Sequence, residues 1–403
     1  MESQMSYNNS LSNIVINPSV DVGTGFRLRT KTKGTREEIF MVREHADLCQ
    51  LLVDLAASDW NKDRLSDIPQ HLFNKLLELG VLIDRTEVPD EVYFRCDLDN
   101  LPLDLMPDKA RAPEQQNGNL VVNPHVYVQS TPEPPTEIAH RVVIRDSFAL
   151  GQSMVWVDDP LTGMLAPYWC DPNLLEKVRS LISNEVSPSE LDPQTASVLR
   201  SIDVLVPEQA GQLPSWDETY AFAVEQFRIR KYAVLRNLVH PMQIAALRKH
   251  FRNLQAKNYL YMDNVQVVGG RYTMNNEGAA SFIHQQLNTL VSHVTQLVTE
   301  ATFANVAVYI PGAVLEKHTD RPQCRWNMSL LVDTDPEVSE AESWPLVLEV
   351  DGEINEIRLD MGDGVLYSGT EIPHWRDKLP EGRTVTVISN HFVPEDFAGS
   401  LLR

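Results

Sequence analysis

Cysteine is scarce in this chain, and the few there are lie far apart. Cys49, Cys96, Cys170 and Cys324 include no Cys-x-x-Cys pair. A disulfide framework and a structural zinc site both need thiols at close, regular spacing, so neither is expected. Isolated thiols fit a reducing, cytoplasmic compartment. Long apolar runs are missing too. No stretch of about 18 apolar residues occurs, which excludes a transmembrane helix. The segment Met1 to Val20 is polar and lacks the basic start and apolar centre of a secretory signal. Positive charge is in short supply, with 35 Lys and Arg against 56 Asp and Glu and a formal net charge of −21. Phosphate backbones are bound by clustered cations, so nucleic acid is not an expected partner. The local basic run Arg27 to Lys33 reads as a solvated segment, with an acidic peptide as its alternative contact.

What is present is an ordinary globular composition, 43% hydrophobic over 403 residues. That length calls for two or three domains. The N-terminal half carries a diverged duplication. One copy has helical patterns over Val42–Ala57 and Ile68–Leu79, then Gly80 and the short apolar run Val81–Ile83. The other has helical patterns over Asn173–Ser183 and Ser189–Ile202, then Asp203 and Val204–Val206. Gly80 and Asp203 both fall where a helix ends; glycine suits a left-handed cap, and aspartate tolerates one. Leu101 to Ile138, rich in Pro, Asn and charge, reads as a long connector. The division expected is a flexible start over 1–24, a first repeat over 25–95, a connector over 96–140, a second repeat over 141–212, and a last domain over 213–403. Helix, helix, terminal strand is similar to the ending of a winged helix. The copies resemble the winged-helix domains that capture a leader peptide beside peptide-modifying enzymes. A helical platform for packing or homodimer formation is the other reading of the same pattern.

The chemistry sits near the C-terminus. His318-Thr319-Asp320 is followed by His374 and Arg383. Residues i and i+2 of a strand point to one side, so His318 and Asp320 can share one ion. His374 follows the strand-like Gly364–Ser368 and would come from a neighbouring strand. Two histidines and one carboxylate can hold one face of iron(II), with the opposite face open. The run Arg383–Ser389 is rich in β-branched residues, as strands are. A hairpin centred near Lys378 and Leu379 would set Arg383 opposite His374, about 5 Å away, where its guanidinium fork suits a carboxylate. On the strand Arg325–Asp333, Asn327 and Ser329 share a face. Residues 258–280 read either as a lid hinged at Gly269 and Gly270 or as plain strand and hairpin.

From Tyr232 to Val393 the chain resembles the iron(II)/2-oxoglutarate-dependent dioxygenases of the prolyl-hydroxylase-like branch. The resemblance rests on Tyr232–Val239, Asn305–Gly312, the His318/Asp320 pair, Arg325–Asp333, Asp360–Tyr367, His374 and Arg383. It implies an α+β chain whose C-terminal domain is a double-stranded β-helix, or jelly roll, behind a largely helical N-terminal region. It implies that His318, Asp320 and His374 bind Fe(II). Arg383, with Tyr309, would bind 2-oxoglutarate, and Asn327 and Ser329 would line its pocket. The implied reaction uses O2 to hydroxylate an unactivated C–H bond of a peptide or amino-acid side chain, or of a small molecule, and gives succinate and CO2. Desaturation and cyclisation use the same ligands. A catalytically silent peptide-binding scaffold is the reading from a different class.

Overall fold

The computed structural model describes residues 68–87, 92–110, 119–142, 153–208, 216–264 and 267–399, with shorter stretches between 14 and 65. Among these residues no helix is long and apolar enough to cross a membrane. Cys96, Cys170 and Cys324 are buried free thiols.

The two segments read as copies carry parallel features. In the first copy the strand Ile14–Ile16 runs antiparallel to Leu82–Asp84. In the second, Leu120–Val122 runs antiparallel to Leu205–Pro207. An asparagine follows the first strand of each pair and clamps the corresponding helix end. Asn17 donates its backbone N–H to the Val81 carbonyl and its amide to the Gly80 carbonyl, both at 2.8 Å. Asn123 does the same to Val204 at 2.9 Å and Asp203 at 3.0 Å. Gly80 and Asp203 are both left-handed, with φ of 66° and 56°. Each copy then has a three-stranded antiparallel sheet, over Asp21–Gly23, Arg27–Thr30 and Glu38–Met41 in one and Val126–Gln129, Met154–Asp158 and Leu165–Trp169 in the other. Helices Gln70–Glu78 in the first copy and Pro172–Ile182 and Pro193–Ser201 in the second precede the closing strands. The expected helix Val42–Ala57 lies mostly outside the described residues.

Among the described residues the N-terminal half mixes short strands with helices rather than being largely helical. The expected connector over 96–140 contains the first two strands of the second copy. Strands of three or four residues are too short to show a period, and flanking Pro and Asn made them read as loop. Asn123 is buried. Its amide also donates to the Asp158 carbonyl, and its Oδ1 accepts from the His125 N–H. Asn123→Ala would strip partners from three buried or half-buried backbone groups. A loss of about 2–3 kcal/mol in urea unfolding is expected.

The two copies differ in what they pack against. Leu28, Leu48, Phe73, Leu76 and Leu82 form a core belonging to the first copy. The second copy's Trp156, Tyr168, Leu175 and Leu199 belong to one continuous core with Phe251, Phe282 and Phe392 of the C-terminal domain.

After helices Trp216–Thr219 and Ala221–Arg230, that domain continues with strand β1 (Tyr232–Leu235) and helix α1 (Pro241–Ala256). Strands β2 (Tyr261–Asp263), β3 (Val267–Val268) and β4 (Arg271–Asn275) follow, then helix α2 (Gly278–Thr295). The segment considered as a lid is thus short strands, with Gly269 and Gly270 at positive φ in the turn between β3 and β4. The remaining strands are β5 (Thr299–Tyr309), β6 (Val314–His318), β7 (Trp326–Asp335), β8 (Leu346–Val350), β9 (Glu353–Ile357), β10 (Gly364–Tyr367), β11 (His374–Arg376) and β12 (Thr384–Pro394). They form a seven-stranded sheet ordered β1-β10-β7-β12-β5-β4-β2 and a five-stranded sheet ordered β3-β6-β11-β8-β9. From β5 onward the chain passes back and forth between the two sheets, the jelly-roll pattern expected. Helix α2 packs along β5, outside the larger sheet. Buried side chains on the inner faces of both sheets enclose the site described next.

Candidate metal centre

His318 ends β6 and His374 begins β11, and the two are direct cross-strand partners. Their rings lie 4.3 Å apart, centroid to centroid. Each ring is fixed through Nδ1 by a backbone carbonyl two residues upstream. His318 Nδ1 meets the Glu316 carbonyl at 2.7 Å, and His374 Nδ1 meets that of Ile372 at 2.9 Å. A carbonyl only accepts, so both Nδ1 atoms carry the proton and both Nε2 atoms present a lone pair. Both Nε2 atoms lie 3.7 Å from the same atom, Asp320 Oδ1. This is the arrangement by which backbone carbonyls orient metal-ligating imidazoles. Burial pulls the His374 imidazole below its ordinary pKa, which keeps it neutral.

Asp320 reaches the site by a route other than strand alternation. Strand β6 stops at His318. Asp320 is held instead by its N–H donating to the Gly369 carbonyl at 2.8 Å. Gly369 has to be glycine: a Cβ there would stand 2.3 Å from Asp320 Oδ2 and 2.6 Å from the Cys324 carbonyl oxygen. Asp320 Oδ2 is itself buried without a hydrogen-bond partner, as are Asn327 Oδ1 and His391 Nδ1. Unsatisfied buried polar atoms beside two imidazole lone pairs fit a cation and polar ligands. Asp320, Cys324 and His391 also lie close enough to share an ion. Burial, followed by the charge of Asp320, pushes the Cys324 thiol up to about 12, so it stays protonated and is a poor ligand. The His318–Asp320–His374 set is the better cation site, and its donors are those that suit iron(II).

The other expected residues are placed as follows. Tyr309 is buried at the end of β5; its hydroxyl accepts from Arg271 Nη1 at 3.2 Å, and its ring meets Trp344 edge-on. Asn327 is buried and donates to the Tyr367 hydroxyl at 2.8 Å, while the Tyr367 ring packs 4.9 Å from His374. Asn327 thus faces the site. Ser329 is buried two residues further along the same strand. Arg383 is a correction. The hairpin between β11 and β12 does not form, because β11 pairs with β6 and β8 while β12 pairs with β5 and β7. Residues 377–383 cross from one sheet to the other, with Leu379 pinned to Gly312 and Ala313. Arg383 therefore does not stand opposite His374; its guanidinium donates to the Glu342 carbonyl at 3.0 Å.

One residue was missed in the sequence. Arg376, two positions after His374 and so on the same face of β11, is buried. It donates to the Trp344 carbonyl at 2.7 Å and lies 4.9 Å over the Trp344 ring. Burial pulls its pKa down from the ordinary arginine value, with Tyr309 and Tyr367 the charge-bearing neighbours that oppose this. Arginine nevertheless stays charged in proteins. Alternation from His374 was the signal that would have found it.

No family model and no curated protein matches the chain. Solved structures do. A prolyl-4-hydroxylase of Pseudomonas putida is 18% identical at a TM-score of 0.37, over 43% of this chain and 98% of that one. HygX of Streptomyces hygroscopicus, with nickel, 2-oxoglutarate and hygromycin B bound, is 9% identical at 0.36, over 44% and 88%. A Trichoplax adhaerens prolyl hydroxylase in complex with a hypoxia-inducible-factor peptide is 14% identical at 0.37, over 44% and 90%. Each covers less than half of this chain at a low TM-score, so the functional reading rests on the site's own residues.

Proposed function

We propose that this protein is an iron(II)- and 2-oxoglutarate-dependent oxygenase that hydroxylates an unactivated C–H bond of a peptide or small-molecule substrate. The observation that carries this is the pair of imidazoles. Each has its Nδ1 tied to a backbone carbonyl and its Nε2 turned to Asp320 Oδ1. His318, Asp320 and His374 would hold the iron, which with 2-oxoglutarate supplies the oxidising chemistry and converts the cosubstrate to succinate and CO2. The chain's own contribution is to position and to exclude water. Asn327 and Tyr367 form one buried polar wall beside His374. The Trp344 and Tyr309 rings form another wall beside Arg376. Asp320 occupies the third ligand position with a carboxylate, which favours an oxygen-transfer outcome over halogenation.

A silent scaffold with an oxygenase-like domain is the competing reading. Both imidazoles are already in the ligating tautomer and neither is diverted to a side-chain partner that would disable it, which speaks against silence. The second N-terminal copy shares its core with the catalytic domain and serves as its platform. The first copy, with a core of its own, is the part assigned to substrate capture. Succinate formation from 2-oxoglutarate tests the reading. Turnover should appear on adding Fe(II), disappear with a chelator, and rise with the true substrate. No iron-dependent succinate under any of these conditions would leave the scaffold reading standing.

A further inference from the structure

Four arginines lie on or near the interior between the two sheets, and they differ in how their charge is met. Arg321 is half-buried and lies 4.8 Å over the Phe303 ring, with one guanidinium nitrogen buried without a hydrogen-bond partner. Arg271 is held by Asp263, at 3.1 Å and 3.3 Å, and by the Tyr309 hydroxyl. Arg383 is partly exposed where the crossing segment meets β12 and bonds a backbone carbonyl. Arg376 is buried, with the Trp344 carbonyl and ring as its contacts. No carboxylate among the described residues pairs with it or figures among the charges acting on it. A buried guanidinium without an anion is costly to keep unless a ligand supplies one.

Its position suits such a ligand. Arg376 and His374 are strand neighbours i and i+2 on one face, so their Cα atoms stand about 7 Å apart. An extended five-carbon diacid that meets the metal through one end spans a similar distance. Trp344 fixes the guanidinium plane through its carbonyl and its ring, and the Trp344 indole is itself tied to the Asp377 carbonyl at 2.8 Å. A fork held this way is pre-organised for two parallel bonds to a carboxylate.

We propose that Arg376, and not Arg383, binds the metal-distal carboxylate of the 2-oxo acid cosubstrate. The proposal rests on the oxygenase reading above and moves the anchor from the strand that follows the second histidine to the histidine's own strand. It follows that this site selects a diacid: a 2-oxo acid of the same length with a methyl group in place of the distal carboxylate should bind poorly.

The test is calorimetric, on the full chain loaded with Mn(II) as a redox-silent ion, with 2-oxoglutarate and 2-oxopentanoate as ligands. Wild type should prefer 2-oxoglutarate by about a hundredfold, the scale for losing one partner of a buried, hydrogen-bonded charge pair. Arg376→Leu should weaken 2-oxoglutarate by about the same factor, leave 2-oxopentanoate within roughly threefold, and so erase the preference. Arg383→Leu should keep it. Mn(II) affinity and the melting temperature, measured alongside, show whether the variant is folded. Should Arg376→Leu not fold, Arg376→Lys takes its place, with an expected weakening of about tenfold because the charge stays and the fork is lost. If either Arg376 variant binds 2-oxoglutarate as wild type does, or if Arg383→Leu alone erases the preference, the proposal is overturned. If wild type with Mn(II) binds no 2-oxoglutarate at all, it is the oxygenase reading that fails.

Discussion

Replacing His374 by alanine is expected to remove iron binding and, with it, all iron-dependent turnover. The side chain is 2% exposed and stands between β6 and β8, so no solvent-exposed group can take its place. Two protein ligands would remain, His318 and Asp320, and His318 is a third exposed. Outer partners of metal ligands are already worth roughly 10–100-fold in affinity. Loss of a ligand itself should therefore weaken iron by at least about a hundredfold on the same scale. The fold should survive. A buried His→Ala change costs about 1–3 kcal/mol, within what a domain with this much shared core tolerates. Equilibrium dialysis against Fe(II), with circular dichroism as the folding control, reads the outcome. Wild-type iron affinity in a folded His374→Ala protein would take His374 out of the site.

The largest effect on stability is expected at Asp333, far from the metal. Asp333 lies near the end of β7 and accepts from Arg248 Nε at 2.7 Å, with Arg252 Nε at 2.7 Å and Nη2 at 3.0 Å on the same carboxylate. Arg248 and Asp333 are both buried, with side chains 3% and 5% exposed. The cluster ties helix α1 to β7, whose other end carries Asn327. Asp333→Ala would leave the buried Arg248 with only Glu337 and the Leu105 carbonyl. Breaking a buried pair from one side costs about 3–5 kcal/mol. At this domain size that corresponds to a fall in melting temperature of roughly 10 °C. Thermal melts of Asp333→Ala and of Asp333→Asn, which keeps the shape and part of the hydrogen bonding, should rank in that order of damage. A change below about 1 kcal/mol, as for an exposed ion pair, would contradict this account.

The candidate metal ligands were legible because their chemistry is written in residue type. Two histidines and an aspartate with one short spacing and one long one leave few alternatives, and the strands around them alternate visibly. How Asp320 is placed was not legible, since it depends on Gly369, a residue 49 positions away that meets it only in three dimensions. Arg383 was misplaced for a topological reason. Seven residues between two apparent strands look like a hairpin loop. In a jelly roll, though, consecutive strands often belong to opposite sheets, so neighbours in sequence need not be neighbours in a ladder. Arg376 was within reach of simple alternation from His374. It was passed over because the stretch after His374 reads as the connection of a hairpin centred near Lys378 and Leu379.

The N-terminal half shows the complementary case. Helices announced themselves by apolar spacing, and the shared helix–cap–strand ending suggested a duplication. The strands that open each copy did not, being three residues long. The better signal was a tetrapeptide: Val15-Ile16-Asn17-Pro18 and Val121-Val122-Asn123-Pro124 stand at matching places in the two copies. The asparagine in each is the residue that bonds the helix cap. The repeating unit is thus defined by a side-chain clamp between its ends, a long-range contact that no local pattern reports.

The most direct measurement of the central claim is an anaerobic absorption titration of this chain, first with Fe(II) and then with 2-oxoglutarate. Iron(II) in the site formed by His318, Asp320 and His374, chelated by a 2-oxo acid, should develop a visible charge-transfer band that saturates at one iron per chain. The band should be absent in His374→Ala. A protein that binds no iron, or one whose iron spectrum is unchanged by 2-oxoglutarate, would contradict the account.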